Sequence, residues 1–292
     1  MQAKRYVRPA TLAEAVSLLS EADGGGRALA GGTDIIVDVR ENRRDVDVLV
    51  DIKAIPELTG LIFDPAEGLR IGAATPCYQI AEHPGVQASY PGLAEAAGLI
   101  GGVQIQSRAS LGGNLGTSSP AADSAPALIA LRAVCRIAGP AGERVVPVDQ
   151  FFTGPRRNVL ANGEILVELR LPPPRWGDSS AYLRFIPRNE MDIAVVGAGV
   201  WLRLEGETIA EARVALGAVA PTPILVEAAG AALAGKPATR ESFEAAAEAA
   251  RSAASPITDM RGSERQRVHL AGVLVRRAIE RAVERAREKQ GR

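Results

Sequence analysis

At 292 residues the chain is longer than one hydrophobic core usually organises, and its 47% hydrophobic content against 23% charged residues is that of a soluble globular protein, so two domains with real cores are expected. Lys plus Arg (34) balance Asp plus Glu (34), so no net field draws the chain to a polyanion and nucleic acid is excluded as an expected partner. Only two cysteines, Cys77 and Cys135, and two histidines, His83 and His269, occur, far apart; that is too little for an iron-sulfur cluster, a histidine metal site or a Ser-His-Asp triad, so the chemistry must come from a bound cofactor.

The N-terminus, MQAKRYVRPATLAEAV, has no apolar signal core, and no apolar run reaches the length of a membrane span, so a cytoplasmic location is expected. Thr11 with Glu14 forms a capping box before a helical stripe of Leu12, Val16 and Leu19, and a helix should run to about Glu21, ended by Gly24, Gly25 and Gly26. A short strand from Arg27 to Ala30 leads into Gly31-Gly32-Thr33-Asp34, and Val46 to Ile52 reads as a second strand. A strand Leu69 to Ala73 follows, then helices opened by Thr75-Pro76 and by Pro91, each with Pro at the first helical position. Ser110 to Asp123 is the largest loop signal, after which PALIALRA reads as a buried helix. A hairpin is expected from Val134 to Val146 through Gly139-Pro140-Ala141-Gly142, and a strand from Glu164 to Leu171, stopped by Pro172 to Pro174 at a domain boundary. Beyond it Tyr182 to Phe185, Ala194 to Leu204 and Thr208 to Val219 form a strand meander, with helices near Pro223 to Ala234, Arg240 to Ala253 and Ser263 to Lys289. The last turns, RAVERAREKQGR, are charged enough to read as a solvated helical end.

Paired glycines after a strand let main-chain N–H groups approach an anion, so Gly31-Gly32 with the Thr33 hydroxyl suits a pyrophosphate, although a lone glycine pair is also an ordinary tight turn. Gly112-Gly113-Asn114 supplies a second exposed backbone edge, and Ser119-Pro120 reads as a helix start, with Asp123 in its first turn either complementing the helix dipole or accepting from ribose or adenine donors. Two such loops together suit a dinucleotide. Gly197-Ala198-Gly199 mimics a Rossmann opening, but Leu202 occupies the last small position and Val200, Leu202 and Leu204 alternate with polar residues, so the segment is strand.

Six collinear blocks then resemble the FAD-binding medium subunit of molybdenum hydroxylases, the xanthine dehydrogenase and aerobic carbon monoxide dehydrogenase family: ALAGGTDII, SLGGNLGTSSPAADSAPALIAL, PRRNVLANGEILVELRLP, RFIPRNEMDIAVVGAGVWL, LGAVAPTPI and RGSERQRVHLAGVLVRRA. The resemblance implies an α+β fold: a FAD-binding domain of the p-cresol methylhydroxylase type over 1–175, with two small α+β subdomains of about 1–56 and 57–175, then an α+β C-terminal domain over 178–290 with antiparallel strands followed by helices. It implies FAD in this chain, a large molybdopterin-binding partner subunit, a small partner with [2Fe-2S] clusters that feeds the FAD, and a dimer of such heterotrimers. Electrons would leave for NAD, a quinone or oxygen.

Carried over by position, Ala28, Leu29, Ala30, Gly31, Gly32, Thr33, Asp34 and Ile35 wrap the pyrophosphate, Ser110, Gly112, Gly113 and Asn114 form the second backbone wall, and Asp123 bonds toward the adenosine end. Leu166 and Arg184 match further FAD-contacting positions, Ile193 the residue against one isoalloxazine face, and Ile100 a flavin-side position that is aromatic in animal xanthine dehydrogenases. Arg184 has two readings, favouring negative charge on the reduced flavin or serving as a phosphate or surface partner. Ile193 replaces the aromatic usual in carbon monoxide dehydrogenases and Met191 an acidic residue of animal xanthine dehydrogenases; the first points away from the carbon monoxide branch and the second leaves NAD use open. A stand-alone flavin reductase would instead oxidise NAD(P)H as an isolated chain, and a scaffold subunit would be colourless.

Overall fold

The computed structural model describes residues 4–188 and 191–291; residues 1–3 of the N-terminal segment, Asn189 and Glu190 of the fourth block, and Arg292 of the charged tail lie outside the described residues. The chain opens with β1 (Arg5–Val7), α1 (Leu12–Glu21), β2 (Gly26–Leu29), α2 (Ile35–Arg40) and β3 (Val48–Asp51). The strands form a parallel sheet in the order β1-β3-β2, and central β3 is buried at all four positions, as a parallel strand covered on both faces must be. The capping box closes as expected: the Thr11 hydroxyl accepts the Glu14 N–H at 3.2 Å while the Glu14 carboxylate takes the Ala10 N–H at 3.0 Å. Strand β2 ends at Leu29, one residue before the expected Ala30, and α2 had no counterpart in the sequence reading.

Next come β4 (Leu61–Asp64), β5 (Gly68–Gly72), six short helices and five strands: α3 (Cys77–Glu82), α4 (Pro84–Ser89), α5 (Pro91–Gly98), α6 (Val103–Gln106), α7 (Leu111–Thr117), α8 (Ser124–Ala130), β6 (Val134–Gly139), β7 (Gly142–Pro147), β8 (Phe152–Gly154), β9 (Arg157–Asn158) and β10 (Ile165–Leu171). An antiparallel sheet runs β4-β5-β10-β6-β7, and β8 and β9 make a separate hairpin. The helices cover one side, so Leu69, Ile71, Cys135, Ile137, Val167 and Leu169 are wholly buried; each such side chain contributes about 1.5–3 kcal/mol.

Three expectations need correction here. The glycine-rich stretch 110–123 is not one loop: Leu111–Thr117 is helical, capped by the Ser110 hydroxyl, which accepts the Gly113 N–H at 3.1 Å, and ended by Ser118 in the left-handed region. Glycine costs a helix about 1 kcal/mol per residue, but a Cβ on Gly112 would strike the Ala73 backbone, so close packing overrides propensity. Helix α8 starts at Ser124 with Asp123 as its N-cap, not at Ser119-Pro120. Pro91 does stand at the first helical position, whereas Pro76 is the N-cap of α3, and α4, opened by Pro84, has no counterpart among the expected helices.

The C-terminal part holds β11 (Asp178–Phe185), β12 (Val196–Glu205), β13 (Thr208–Gly217), β14 (Ile224–Leu225), α9 (Glu227–Leu233), β15 (Lys236–Pro237), α10 (Arg240–Ala253) and α11 (Glu264–Gln290). Its antiparallel sheet runs β11-β12-β13-β14, with β15 also on β13. Side chains alternate across β12: Val200, Leu202 and Leu204 join the core under α10 and α11, while Gly199 and Trp201 face α8. A Cβ on Gly199 would strike the Pro126 carbonyl, so the Gly197-Ala198-Gly199 run serves helix-on-sheet packing. The charged tail is not simply solvated. Ala282, Val283 and Ala286 are buried at helical spacing, Arg281 and Arg285 pair with Glu95 of α5 at 3.1 and 2.5 Å, and Gln290 donates to the Leu204 carbonyl at 2.7 Å.

Candidate functional site

A cleft of about 640 Å³ opens between the parallel sheet and the α7–β10 region. Ala28, Ala30, Gly31, Gly32, Thr33, Asp34 and Ile35 line one side, and Ser110, Gly112, Gly113 and Asn114 another, joined by Ile100 and Leu166. The two glycine segments therefore share one cavity. They also touch: a Cβ on Gly31 would overlap the Arg108 carbonyl and come within 2.9 Å of the Ala109 nitrogen, so only glycine lets the first turn reach the second.

Among the described residues nothing accepts the N–H groups of Gly31, Gly32, Thr33 or Asp34. Four consecutive main-chain donors without acceptors, all on cleft-lining residues, form an anion nest. The Gly112 N–H likewise has no acceptor among the described residues, while Ser110 takes the N–H groups of Gly113 and Asn114. Gly116 faces open space, so α7 presents bare backbone to the cavity. Four arginines, Arg27, Arg44, Arg156 and Arg157, line the cleft against three carboxylates, and two of those, Asp38 and Glu164, are already held by Arg156 and Arg144. Arg27 is packed against the Gly24 and Gly26 carbonyls, and burial followed by the nearby Arg44 charge pulls its pKa down. The surplus positive charge suits a phosphate-bearing ligand.

A third wall escaped the sequence reading. Asn158 in β9 donates to the Gly116 carbonyl at 3.2 Å and the Ser118 hydroxyl at 3.0 Å, and the Arg156 N–H reaches the Ser118 carbonyl at 2.9 Å. Thr117 donates to Asp34 at 3.2 Å, tying α7 to the first turn. The Gly154-Pro155 turn ahead of Arg156-Arg157-Asn158 was the available signal, but nothing local in it says which surface the hairpin meets.

Four expected site residues do not line the cleft. Leu29 is buried in β2. Asp123 is buried at the N-cap of α8, one carboxylate oxygen accepting the Tyr182 hydroxyl and the other Arg184 Nη1, each at 2.7 Å. Arg184 is only 5% exposed, which removes its reading as a surface partner, and its buried Nε has no partner among the described residues. Burial pushes the Asp123 carboxyl upward against the pull of Arg184 and the Tyr182 hydroxyl, and raises the Tyr182 phenol well above its ordinary range. Ser124 beside Asp123 donates to the Asn114 side chain at 2.6 Å, so this latch is one residue removed from the cleft wall. Ile193 is half exposed on the segment before β12.

The donors and the cavity size, within the ~300–1,000 Å³ of cofactor sites, fit a dinucleotide with its pyrophosphate on the nest. Among the described residues no cluster of His, Cys, Asp and Glu could hold a metal ion, and no helix is long and apolar enough to cross a membrane.

Comparison with known proteins accounts for this arrangement. Residues 2–174 match the family "FAD binding domain in molybdopterin dehydrogenase", and residues 181–282 match "CO dehydrogenase flavoprotein C-terminal domain". The chain is 35% identical over 279 residues to the putative xanthine dehydrogenase FAD-binding subunit of Escherichia coli (strain K12), covering 95% of each chain. It is 36% identical over 274 residues to the carbon monoxide dehydrogenase medium chain of Hydrogenophaga pseudoflava, covering 94% of this chain and 95% of that one. The structure of carbon monoxide dehydrogenase from the same organism superposes with a TM-score of 0.93 at 37% identity, over 97% of this chain and 98% of that one. A cleft walled by bare backbone, in a chain that matches these flavoproteins from end to end, places it in the family of FAD-binding medium subunits of molybdenum hydroxylases.

Proposed function

We propose that the chain holds FAD in this cleft and relays electrons within a heterotrimeric molybdenum hydroxylase, between [2Fe-2S] clusters on a small subunit and an external acceptor, NAD, a quinone or oxygen. A large molybdopterin-bearing subunit oxidises the substrate. The observation that carries the reading is the run of N–H groups from Gly31 to Asp34, without acceptors among the described residues, facing the Ser110–Asn114 wall across one cavity. Bound flavin supplies the redox chemistry. The chain's residues bind and orient: the nest takes the pyrophosphate, the cleft arginines offset its charge, and the Thr117–Asp34 and Asn158–Gly116 bonds hold the walls at fixed separation. No side chain has to act as an acid or base.

The site in this reading comprises Ala28 to Ile35, Ile100, Ser110, Gly112 to Asn114, Asp123, Leu166, Arg184 and Ile193, of which Leu29, Asp123, Arg184 and Ile193 stand outside the cleft lining. The domain division at 175–178 is supported by the separate hydrophobic core of the C-terminal part, and the subdomains of about 1–56 and 57–175 by their separate sheets, although one core runs through both. A dimer of heterotrimers in the cytoplasm completes the proposal. Near-equal identity to the xanthine-type and carbon monoxide-type relatives favours neither substrate, which agrees with a substrate pocket in another polypeptide.

Purification of the native complex, with an absorption spectrum and metal analysis, tests the reading. A flavin spectrum on this chain, with iron and molybdenum on co-purifying subunits, is expected. A colourless chain, or an iron-free monomer that oxidises NAD(P)H by itself, rejects it.

A further inference from the structure

Lys53 stands two residues beyond β3 and does not line the cleft. Its ammonium donates to the Ala30 carbonyl at 2.9 Å and to Asp51 Oδ1 at 2.6 Å, with the Leu29 carbonyl at 3.5 Å. Asp51 is buried and fixed in turn, its second oxygen accepting the Tyr6 hydroxyl at 2.5 Å and its first also taking the Lys53 N–H at 3.1 Å. The Leu29 carbonyl already accepts the Ile52 N–H, but among the described residues the Ala30 carbonyl has no donor other than Lys53.

In a trans peptide the carbonyl of one residue and the N–H of the next point in opposite directions across a rigid plane, and every described peptide bond here is trans. A donor that pins the Ala30 carbonyl behind the turn therefore fixes the Gly31 N–H in front of it, on the cleft side. We propose that Lys53 is a positioning residue for the cofactor's pyrophosphate: anchored by Asp51 and Tyr6, it sets the orientation of the Ala30–Gly31 peptide and so starts the run of four donors in register with the anion. Its charge, directly behind the turn, adds to the positive field of the nest. Replacing it frees that peptide to rotate, and one flipped peptide turns a donor into a carbonyl aimed at a phosphate.

This inference rests on the reading of the cleft as a FAD site, and the test keeps the two apart. Flavin-free full-length chain, as wild type, Lys53→Met, Lys53→Arg and Glu211→Gln, is titrated with FAD by flavin fluorescence, and the thermal midpoint of each flavin-free chain is measured. Wild type that fails to take up FAD removes the reading of the cleft and the proposal with it. With wild type binding, Lys53→Met is expected to bind roughly ten- to a hundredfold more weakly, the effect of losing a charge-assisted hydrogen bond, at a lowered flavin-free midpoint because the buried Asp51 carboxylate loses its cation; Lys53→Arg is expected to recover most of the affinity, and Glu211→Gln, which does not line the cleft, is expected to lower the midpoint while binding FAD like wild type. Affinity of Lys53→Met within about threefold of wild type overturns the proposal. So does an equal loss of affinity in Glu211→Gln, because a merely structural tie predicts that any fall in the midpoint weakens binding. Should Lys53→Met not fold, Lys53→Gln, whose amide is too short to reach the Ala30 carbonyl, is judged by the same two measurements.

Discussion

Gly31→Ala isolates the close approach on which the cleft depends. The added Cβ would overlap the Arg108 carbonyl and sit 2.9 Å from the Ala109 nitrogen, both main-chain groups held in place by α6 and α7, so the turn has to retreat by roughly 1.5 Å to regain van der Waals separation. A shift of that size carries an N–H from ordinary hydrogen-bond distance to beyond the limit of one. Charge-assisted bonds are worth about 1.5–3 kcal/mol each, so losing one or two costs about 1.5–6 kcal/mol, roughly a tenfold to twenty-thousandfold rise in the FAD dissociation constant. Flavin fluorescence titration of the purified chain reads this directly. Gly98→Ala is the matched comparison, because the residue lies outside the cleft lining and its Cβ would meet only Ala81 at an ordinary 3.6 Å, and alanine in α5 should raise the flavin-free stability by about 0.5–1 kcal/mol. A Gly31→Ala chain that binds FAD within about threefold of wild type would refute the reasoning.

Asp123→Ala strips the buried Arg184 of the carboxylate it pairs with and should lower stability in urea by about 3–5 kcal/mol, whereas Tyr182→Phe, which leaves the ion pair intact, should cost about 1–3 kcal/mol; equal losses would contradict the ranking. The Arg175, Arg132 and Arg203 guanidinium groups hold the Glu211 carboxyl at about 2, below its usual 4.5, so the unfolded chain binds this proton more readily than the folded one. The clamp's contribution is therefore complete above about pH 4.5 and lost as the pH falls toward 2, and the melting-point gap between wild type and Glu211→Gln should narrow over that window. Cys77 and Cys135 are wholly buried and burial pushes both thiols up to about 12, so a thiol reagent at pH 8 should label neither in the native chain and both in urea.

Where the signal is local, the sequence carried it. Arg240–Ala253 coincides with its expected helix because one apolar face and charged flanks repeat at the helical period, and Ser263 caps α11 through the Gln266 N–H as the spacing implied. The hairpin of β6 and β7 turns at Gly139–Gly142 as its glycines required. The segment 110–123 shows the opposite case. Its glycines signal a loop by propensity, yet Gly112 is helical because Ala73 leaves no room for a side chain there, a fact about a residue 39 positions away. The tail misled for the same reason: its charges are solvated on one face, while the alanine stripe beneath them finds β11 and β12.

What the sequence by itself determined is the chemistry available: no metal ligands in clusters, two backbone-rich turns, and six blocks whose order matches one flavoprotein family. Only the tertiary structure decided that the two turns share a cavity, that Asn158 and Arg156 complete its wall, and that Asp123 meets Tyr182 and Arg184 across the two halves of the chain. The reason is range. Caps, turns and periodicity arise from residues a few positions apart, whereas a cleft and a buried ion pair are made by contacts between segments tens of residues apart, whose mutual placement depends on how every intervening element packs.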